Sequence, residues 1–172
     1  MRDDFADWYG ALWPRVLRSV TFAVGDRELA EEATAEAFAR ALAGWPAATT
    51  FDSPVAWLHR VAVNEVRSRW RRGRLERRLL ERIATEPRRY LSPVEPPNDA
   101  LWTAVAALPE RARHMVAMRY VLDLPEAEIA ATLGVSRGTV ASTLSKARQQ
   151  LASTLAYTRP ESGADVLGKE KL

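Results

Sequence analysis

The sequence predicts an all-α protein in which a proline-rich linker joins two small helical domains. Apolar residues recur at helical spacings of three and four, and no segment shows the alternation typical of a strand. Four prolines fall between Pro87 and Pro97, and a helix cannot continue through them. Towards the C-terminus, a glycine-centred pattern predicts a helix-turn-helix, so the second domain is expected to be a four-helix unit that contains it.

The domain boundaries follow from these patterns. We predict a first domain over residues 1–82, a linker over 83–98, a second domain over 99–157 and a disordered tail over 158–172, because that tail is polar and lacks periodicity. No run of 18 apolar residues and no basic-then-apolar leader is present. The expectation is a cytoplasmic protein that is not inserted in a membrane.

Two residue types that carry much of enzyme chemistry are scarce. Cysteine is absent, which excludes disulfides, thiolate nucleophiles and cysteine-based zinc sites. The only histidines, His59 and His114, are far apart in sequence, and no nucleophile motif precedes either. We therefore expect no catalytic residue, no metal and no cofactor, and two ordinary helical histidines.

Charge is distributed unevenly along the chain. Residues 1–52 hold five arginines against nine acidic residues, whereas residues 53–93 hold eleven arginines against four glutamates. This pattern indicates one surface for a polyanion and another for a basic protein, although two solvated helix faces would give the same counts.

The acidic helix of the first domain is predicted from an apolar stripe that runs from Leu29 to Leu42. Glu28, Glu32 and Glu36 lie four residues apart, and each like-charge pair costs a few tenths of a kcal/mol. Two explanations remain open. The acids favour the helix N-terminus while Arg40 pairs with Glu36, or they form a docking face for a basic partner.

The basic helix is predicted to begin with Ser53 as its N-cap and Pro54 as its first residue, and to reach at least Trp70. If it continues past Gly73, one stripe of arginines lies on a single face and suits phosphate contacts. The stripe comprises Arg60, Arg67, Arg71, Arg74 and Arg78. Trp57 is interpreted as core, whereas Trp70 suits either the core or stacking on unpaired bases.

The second domain is predicted as four helices. Asn98 or Asp99 caps the first, Pro109 opens the second, the third begins near Glu126, and the fourth runs from Ser136 towards Leu155. A break is expected from Asp123 to Pro125.

The helix-turn-helix prediction rests on steric spacing. Ala130 is small enough for a close helix crossing, Gly134 accepts left-handed geometry, and Val140 anchors the second helix. Ser136 is placed to cap that helix, and no acidic residue occurs from Ile129 to Pro160. The second helix is therefore expected to contact DNA.

Three segments in this order resemble bacterial sigma factors of the extracytoplasmic-function group. Ala30 to Leu42 is similar to that family's polymerase-binding helix, Ser53 to Arg72 to its minus-10 helix, and Ala107 to Leu151 to its fourth domain. The resemblance implies a non-enzymatic factor that binds core RNA polymerase and directs promoter-specific initiation. Its partners would be promoter DNA, both duplex and melted at the minus-10 element, and an anti-sigma protein.

Site residues follow from the resemblance together with the charge pattern. The predicted polymerase-binding residues are Glu31, Glu32, Glu36, Phe38 and Arg40. The predicted minus-10 residues are Arg60, Asn64, Arg67, Trp70, Arg71 and Arg72. The predicted minus-35 residues are Ser136, Arg137, Gly138, Thr139, Ser142, Lys146 and Arg148. The alternative is a free-standing dimeric helix-turn-helix regulator, since that motif is widely shared.

Overall fold

A computed structural model describes residues 2–45, 47–83 and 100–158. Within these ranges the chain forms helices and no strand, which confirms the predicted all-α class. The N-terminal domain contains α1 (Arg2–Val24), α2 (Arg27–Ala43), a 3₁₀ turn (Ala47–Thr50) and α3 (Pro54–Ile83). The C-terminal domain contains α4 (Ala100–Ala106), α5 (Glu110–Val116), a π-helical turn (Ala117–Val121), α6 (Glu126–Leu133) and α7 (Arg137–Thr158).

Several predictions concern other parts of the chain. Residues 84–98 of the predicted linker, residues 159–172 of the predicted tail, and the candidate caps Asn98 and Asp99 lie outside the described residues.

The N-terminal domain is built around the contact of α2 with α1 and α3. Small residues on α2, among them Ala33 and Ala37, are fully buried and let the three helices approach closely. Phe38 is also buried, and the rings of Trp8, Tyr9 and Trp13 surround it at centroid distances of 4.8–5.5 Å.

Helix α3 begins at Pro54 as predicted and continues past Gly73 to Ile83. The condition for a single arginine stripe is therefore met, with Arg60, Arg67, Arg71 and Arg74 on one continuous helix. The side chain of Arg78 lies outside the described residues.

The C-terminal domain packs α4, α5 and α6 against α7. Its core includes Met115, Met118, Ile129, Val140 and Leu144, each less than 3% exposed. The helix that was expected to carry Tyr120 widens into a π-helical turn, where the Leu122 N–H donates to the Ala117 carbonyl at 3.2 Å. Apolar spacing does not distinguish such a single wide turn from an α-helical one.

The two domains pack against each other. Helix α1 contacts α5 and the π-helical turn, and α3 contacts α6. The rings of Phe22 and Trp102 lie 5.7 Å apart between centroids, and Arg15 donates to the Leu122 carbonyl at 3.2 Å. Arg113 donates to the Ala23 carbonyl at 3.1 Å. The interface therefore combines apolar and polar contacts.

The turn of the helix-turn-helix depends on Gly134, which has φ 64° and ψ 42°. The N–H of Val135 donates to the Ala130 carbonyl at 3.0 Å, and the Gly134 N–H donates to the Ala131 carbonyl at 3.4 Å. These two hydrogen bonds form a Schellman motif that satisfies the last carbonyls of α6. Ala130 and Val140 are both buried at the crossing, as their spacing predicts.

We expect Gly134→Ala to lower the free energy of unfolding by about 1–2 kcal/mol, because an L-residue is strained at this positive φ. Urea titration followed by circular dichroism measures the change. Gly10→Ala is the control, since its Cβ would meet nothing within 4 Å in the middle of α1. This control should be stabilising by about 0.5–1 kcal/mol, and equal effects at the two positions would contradict the assignment.

Candidate nucleic-acid interface

The start of α7 is organised by Ser136. Its Oγ accepts a hydrogen bond from the Thr139 N–H at 3.1 Å and lies 2.8 Å from the Thr139 Oγ1. This is the predicted N-cap, and it leaves the positive end of the helix dipole facing solvent. Arg137 is next to this end and lies 3.7 Å from the Glu126 carboxylate, its one acidic neighbour among the described residues.

One face of α7 is available for DNA. The buried residues Val140, Leu144 and Ala147 point into the domain. All the predicted minus-35 residues are exposed: Ser136, Arg137, Gly138, Thr139, Ser142, Lys146 and Arg148. The structure thus separates a packing face from a polar, basic face on the same helix.

The predicted minus-10 residues fall into two groups along α3. Arg60, Asn64 and Arg67 face the C-terminal domain, where they line a cleft of about 500 Å³ together with residues of α5 and α6. Arg71 and Arg72 are exposed beyond this contact. Trp70 lies between the two groups and is 39% exposed, so its side chain is neither fully buried nor fully exposed.

The acidic and basic helices are joined by an ion-pair network that sequence reasoning missed. Glu65 accepts hydrogen bonds from Arg40 at 2.8 Å, Arg69 at 3.3 Å and Arg72 at 3.2 Å. Burial opposes ionisation of Glu65, but these guanidinium groups outweigh it and lower its pKa. Helical periodicity places Glu65 near the apolar stripe, but nothing in the sequence indicates which arginines reach it.

The predicted polymerase-binding residues also take part in this network. Arg40 pairs with Glu36 at 2.9 Å, as the simpler explanation of the acidic helix expects, and Arg69 pairs with Glu32. Glu31 is exposed. Phe38 is only 2% exposed and is a core residue that holds α2 against α1, and its part in polymerase binding stays a prediction.

Trp57 is half-buried, and its ring lies 4.9 Å from that of Phe51. This contact agrees with its interpretation as a packing residue. Trp70, at 39% exposure, is the more exposed of the two tryptophans of α3.

The two histidines meet between the domains, which the sequence analysis did not anticipate. Their ring centroids are 5.9 Å apart, and both side chains are buried. His59 Nδ1 lies 2.7 Å from Ser19 Oγ, whereas His59 Nε2 and His114 Nδ1 have no hydrogen-bond partner. His114 Nε2 lies 3.5 Å from the Glu110 carboxylate without forming a well-aligned hydrogen bond. Burial first, then the nearby positive charge of Arg67 and the other imidazole, lowers the pKa of His59 to about 3. Burial and Arg67 lower that of His114 to about 4.

No helix in the described ranges has the length and apolar character needed to cross a membrane. Among the same residues, no three histidine, cysteine or acidic side chains group together as metal ligands would.

An exposed recognition helix and an arginine-rich helix on one compact chain define an all-α DNA-binding protein. Comparison with protein families assigns both domains. Residues 8–76 match the model described as Sigma-70 region 2, and residues 98–151 match that described as Sigma-70, region 4. Together they span most of the chain, which therefore belongs to the sigma-70 family of transcription initiation factors.

A solved structure shares the fold. It is described as the co-crystal structure of the sigma factor RpoE in complex with the anti-sigma factor NepR from Bartonella quintana. The similarity has a TM-score of 0.72 at 21% identity and covers 91% of this chain and 99% of that one. No curated protein sequence matches the chain significantly.

We expect Glu65→Gln to lower the unfolding free energy at pH 7 by about 1 kcal/mol, because it removes a carboxylate shared by three arginines. Since the folded pKa of Glu65 is lowered, its contribution is complete above the ordinary value of 4.5 and is lost as pH falls through the folded pKa. The difference from the parent chain should therefore shrink in acid, as measured by urea unfolding across pH. Glu31→Gln, an exposed change on α2, should have almost no effect at any pH.

The histidine pair gives a separate dependence at higher pH. Because both folded pKa values lie below the ordinary 6.5, the unfolded chain takes up protons first as pH falls below 6.5. Stability should decline by up to about 1.4 kcal/mol per histidine for each pH unit below 6.5, down to the folded pKa values. Urea unfolding between pH 7 and pH 5 measures this slope, because that range lies above the ordinary pKa of 4.5 around which glutamates of the unfolded chain take up most of their protons. A double variant, His59→Asn with His114→Gln, should flatten the slope, and an unchanged slope would contradict the assignment.

Proposed function

We propose that this chain is a promoter-specificity subunit of the extracytoplasmic-function group, which binds core RNA polymerase and recognises minus-10 and minus-35 elements. The observation that carries the proposal is the presence, on one chain, of an exposed recognition helix and an arginine-rich helix within matched Sigma-70 regions 4 and 2. We assign core polymerase binding and minus-10 recognition to residues 1–82, and minus-35 recognition to residues 99–157. Residues 83–98 are assigned as the linker and residues 158–172 as a tail.

The minus-35 role is supported by the exposed face of α7. Ser136, Gly138, Thr139 and Ser142 are small or hydroxylated residues that suit close approach to a major groove, and Arg137, Lys146 and Arg148 supply phosphate or base contacts. Ala141 and Thr143 are uncharged, so the helix offers few cations. The domain is therefore expected to bind DNA weakly unless a partner holds it near the promoter.

The minus-10 role is supported by α3. Exposed Arg71 and Arg72 suit phosphates, and the partly exposed ring of Trp70 suits a base that has left the duplex. Arg60, Asn64 and Arg67 extend the same face. We propose that this face receives the melted strand and its junction with duplex DNA.

The polymerase role is supported by the exposed acids of α2. Glu31 is exposed, whereas Glu32 and Glu36 are held by Arg69 and Arg40, which fixes their positions on the helix surface. Phe38 contributes indirectly by fixing α2 against α1. A factor of this kind needs no catalytic residue and no cofactor, and we expect it in the cytoplasm. The RpoE structure contains an anti-sigma factor, and we propose a partner of that kind here as well.

The decisive experiment is transcription in vitro with core RNA polymerase and fragmented genomic DNA, followed by mapping of start sites. We expect starts downstream of a shared pair of elements at fixed spacing. Failure to co-elute with core polymerase at low salt would contradict the proposal. Polymerase-independent protection of a two-fold symmetric site by a dimer would instead indicate a free-standing regulator.

Arg71→Ala combined with Arg72→Ala should weaken promoter binding by the polymerase complex and flatten its dependence on salt. Each lost phosphate contact lowers the slope of log K against log salt by about 0.7–0.9. Fluorescence anisotropy across a salt series measures this slope. Arg18→Ala combined with Arg27→Ala is the control, since these exposed arginines of α1 and α2 lie outside α3 and α7. An unchanged slope in the α3 variant would exclude both arginines from the DNA interface.

A further inference from the structure

The cleft between α3 and the C-terminal domain has the size and lining of a small-molecule site. Its volume of about 500 Å³ lies within the range of about 300–1,000 Å³ that is typical of ligand pockets. Val63 and Leu133 form apolar parts of its wall, and Asn64 contributes an exposed amide. This volume exceeds what a single inorganic ion fills, so the cleft has room for an organic ligand.

The charges around the cleft suit a dianion. Three arginines line it, namely Arg60, Arg67 and Arg111. The Glu110 carboxylate offsets Arg67, because it accepts a hydrogen bond from Arg67 Nε at 2.6 Å. This hydrogen bond is the main cause of the lowered pKa of Glu110, which is therefore charged at neutral pH. Within the described ranges, no acidic side chain pairs with Arg60 or Arg111, and both are exposed. Two guanidinium charges thus remain for a ligand.

A buried histidine gives an independent indication of a ligand. His59 lines the cleft and is only 1% exposed, yet its Nε2 has no hydrogen-bond partner. Its other nitrogen, Nδ1, lies 2.7 Å from Ser19 Oγ. A buried polar atom without a partner is destabilising, so a ligand atom that bonds to Nε2 recovers free energy that the empty cleft forgoes.

The Ser19 hydroxyl allows His59 to present a proton to the cleft without becoming charged. Ser19 Oγ lies 3.0 Å from the Val16 carbonyl as well as 2.7 Å from His59 Nδ1. When Ser19 donates to Val16, Nδ1 carries the imidazole proton. When Ser19 donates to Nδ1 instead, Nε2 carries that proton and can donate to an anion. Mainly because of burial, the pKa of His59 is lowered to about 3, so the ring is neutral in either arrangement.

We propose that this cleft binds a small organic phosphate monoester, a class of ligand that carries a charge of about −1.5 to −2 at neutral pH. The phosphate oxygens pair with Arg60 and Arg111, whose planar guanidinium groups suit them, and accept a hydrogen bond from His59 Nε2. The organic part of the ligand lies against Val63 and Leu133. The site goes beyond the proposed function, and it is tested on the free chain without polymerase or promoter, so its failure leaves the proposed function intact.

Binding is tested with ribose 5-phosphate and the full chain. We expect one saturable site by titration calorimetry, with a Kd of about 1 mM or tighter and no binding of ribose. Because His59 and His114 are the only histidines, the nitrogen NMR signals of their side chains report on the cleft. The His59 signals should shift with the calorimetric midpoint. Absence of saturable binding, or binding that leaves these signals unchanged, would overturn the proposal. Equal affinity for inorganic sulfate would reduce the site to an adventitious ion only.

Two pairs of variants locate the site. Arg111→Gln removes one cation of the cleft and should bind ribose 5-phosphate about three- to tenfold more weakly than Arg18→Gln, which changes an exposed arginine of α1. Ala131→Trp fills the cleft from α6 without changing its charge and should weaken binding by about tenfold or more. Its control is Ala127→Trp, an exposed change on the same helix outside the cleft. Equal affinities within either pair would contradict the assignment.

A nucleic-acid strand with a terminal phosphate offers the same chemical group as a free phosphate monoester. A single-stranded pentanucleotide with a 5′-phosphate therefore competes with ribose 5-phosphate in the same titration, and the unphosphorylated pentanucleotide is its control. We expect ribose 5-phosphate to bind Ala127→Trp at least as tightly as the phosphorylated strand does. If the phosphorylated strand binds about tenfold more tightly and Ala131→Trp abolishes this preference, the ligand is a strand end and the proposal of a small molecule is overturned.

Discussion

The packing of the C-terminal domain against α1 and α3 is the constraint on which the rest of the structure depends. It buries His59 and His114 as neutral imidazoles, and it joins Arg67 to Glu110 across the interface. Buried imidazoles without complete hydrogen bonding are costly to charge, so this interface is most stable near neutral pH. The same contact decides which of the two proposed DNA-binding surfaces of this sigma-70 family member faces solvent.

Helices α2, α3 and α7 each combine a structural role with a proposed functional role. The small residues of α2 let it pack closely between α1 and α3, while its acids are fixed by arginines of its own and of the neighbouring helix. On α3, Glu65 gathers three guanidinium groups and limits the repulsion that an arginine-rich helix would otherwise suffer. On α7, the apolar face anchors the helix-turn-helix and the opposite face remains polar. The ion pairs of α2 and α3 thus offset the repulsion among closely spaced arginines.

The sequence predicts local features well and long-range ones poorly. Ala130, Gly134, Ser136 and Val140 each have a steric or hydrogen-bonding reason for their position, and the turn and cap form as those reasons require. The contact between His59 and His114 could not be predicted, because helical periodicity identifies a buried face but not its partner across a linker. The burial of Phe38 could not be predicted for the same reason. Its match to the family's polymerase-binding helix does not reveal that aromatic rings of α1 surround it.

The central claim is that the two domains pack against each other in the free chain. The absence of cysteine allows donor and acceptor dyes at Ala11→Cys and Ala152→Cys, exposed sites on α1 and α7, to report their separation by single-molecule energy transfer. We expect a single population of high transfer efficiency in the folded chain at neutral pH. A broad population of low efficiency in the folded chain would contradict the account.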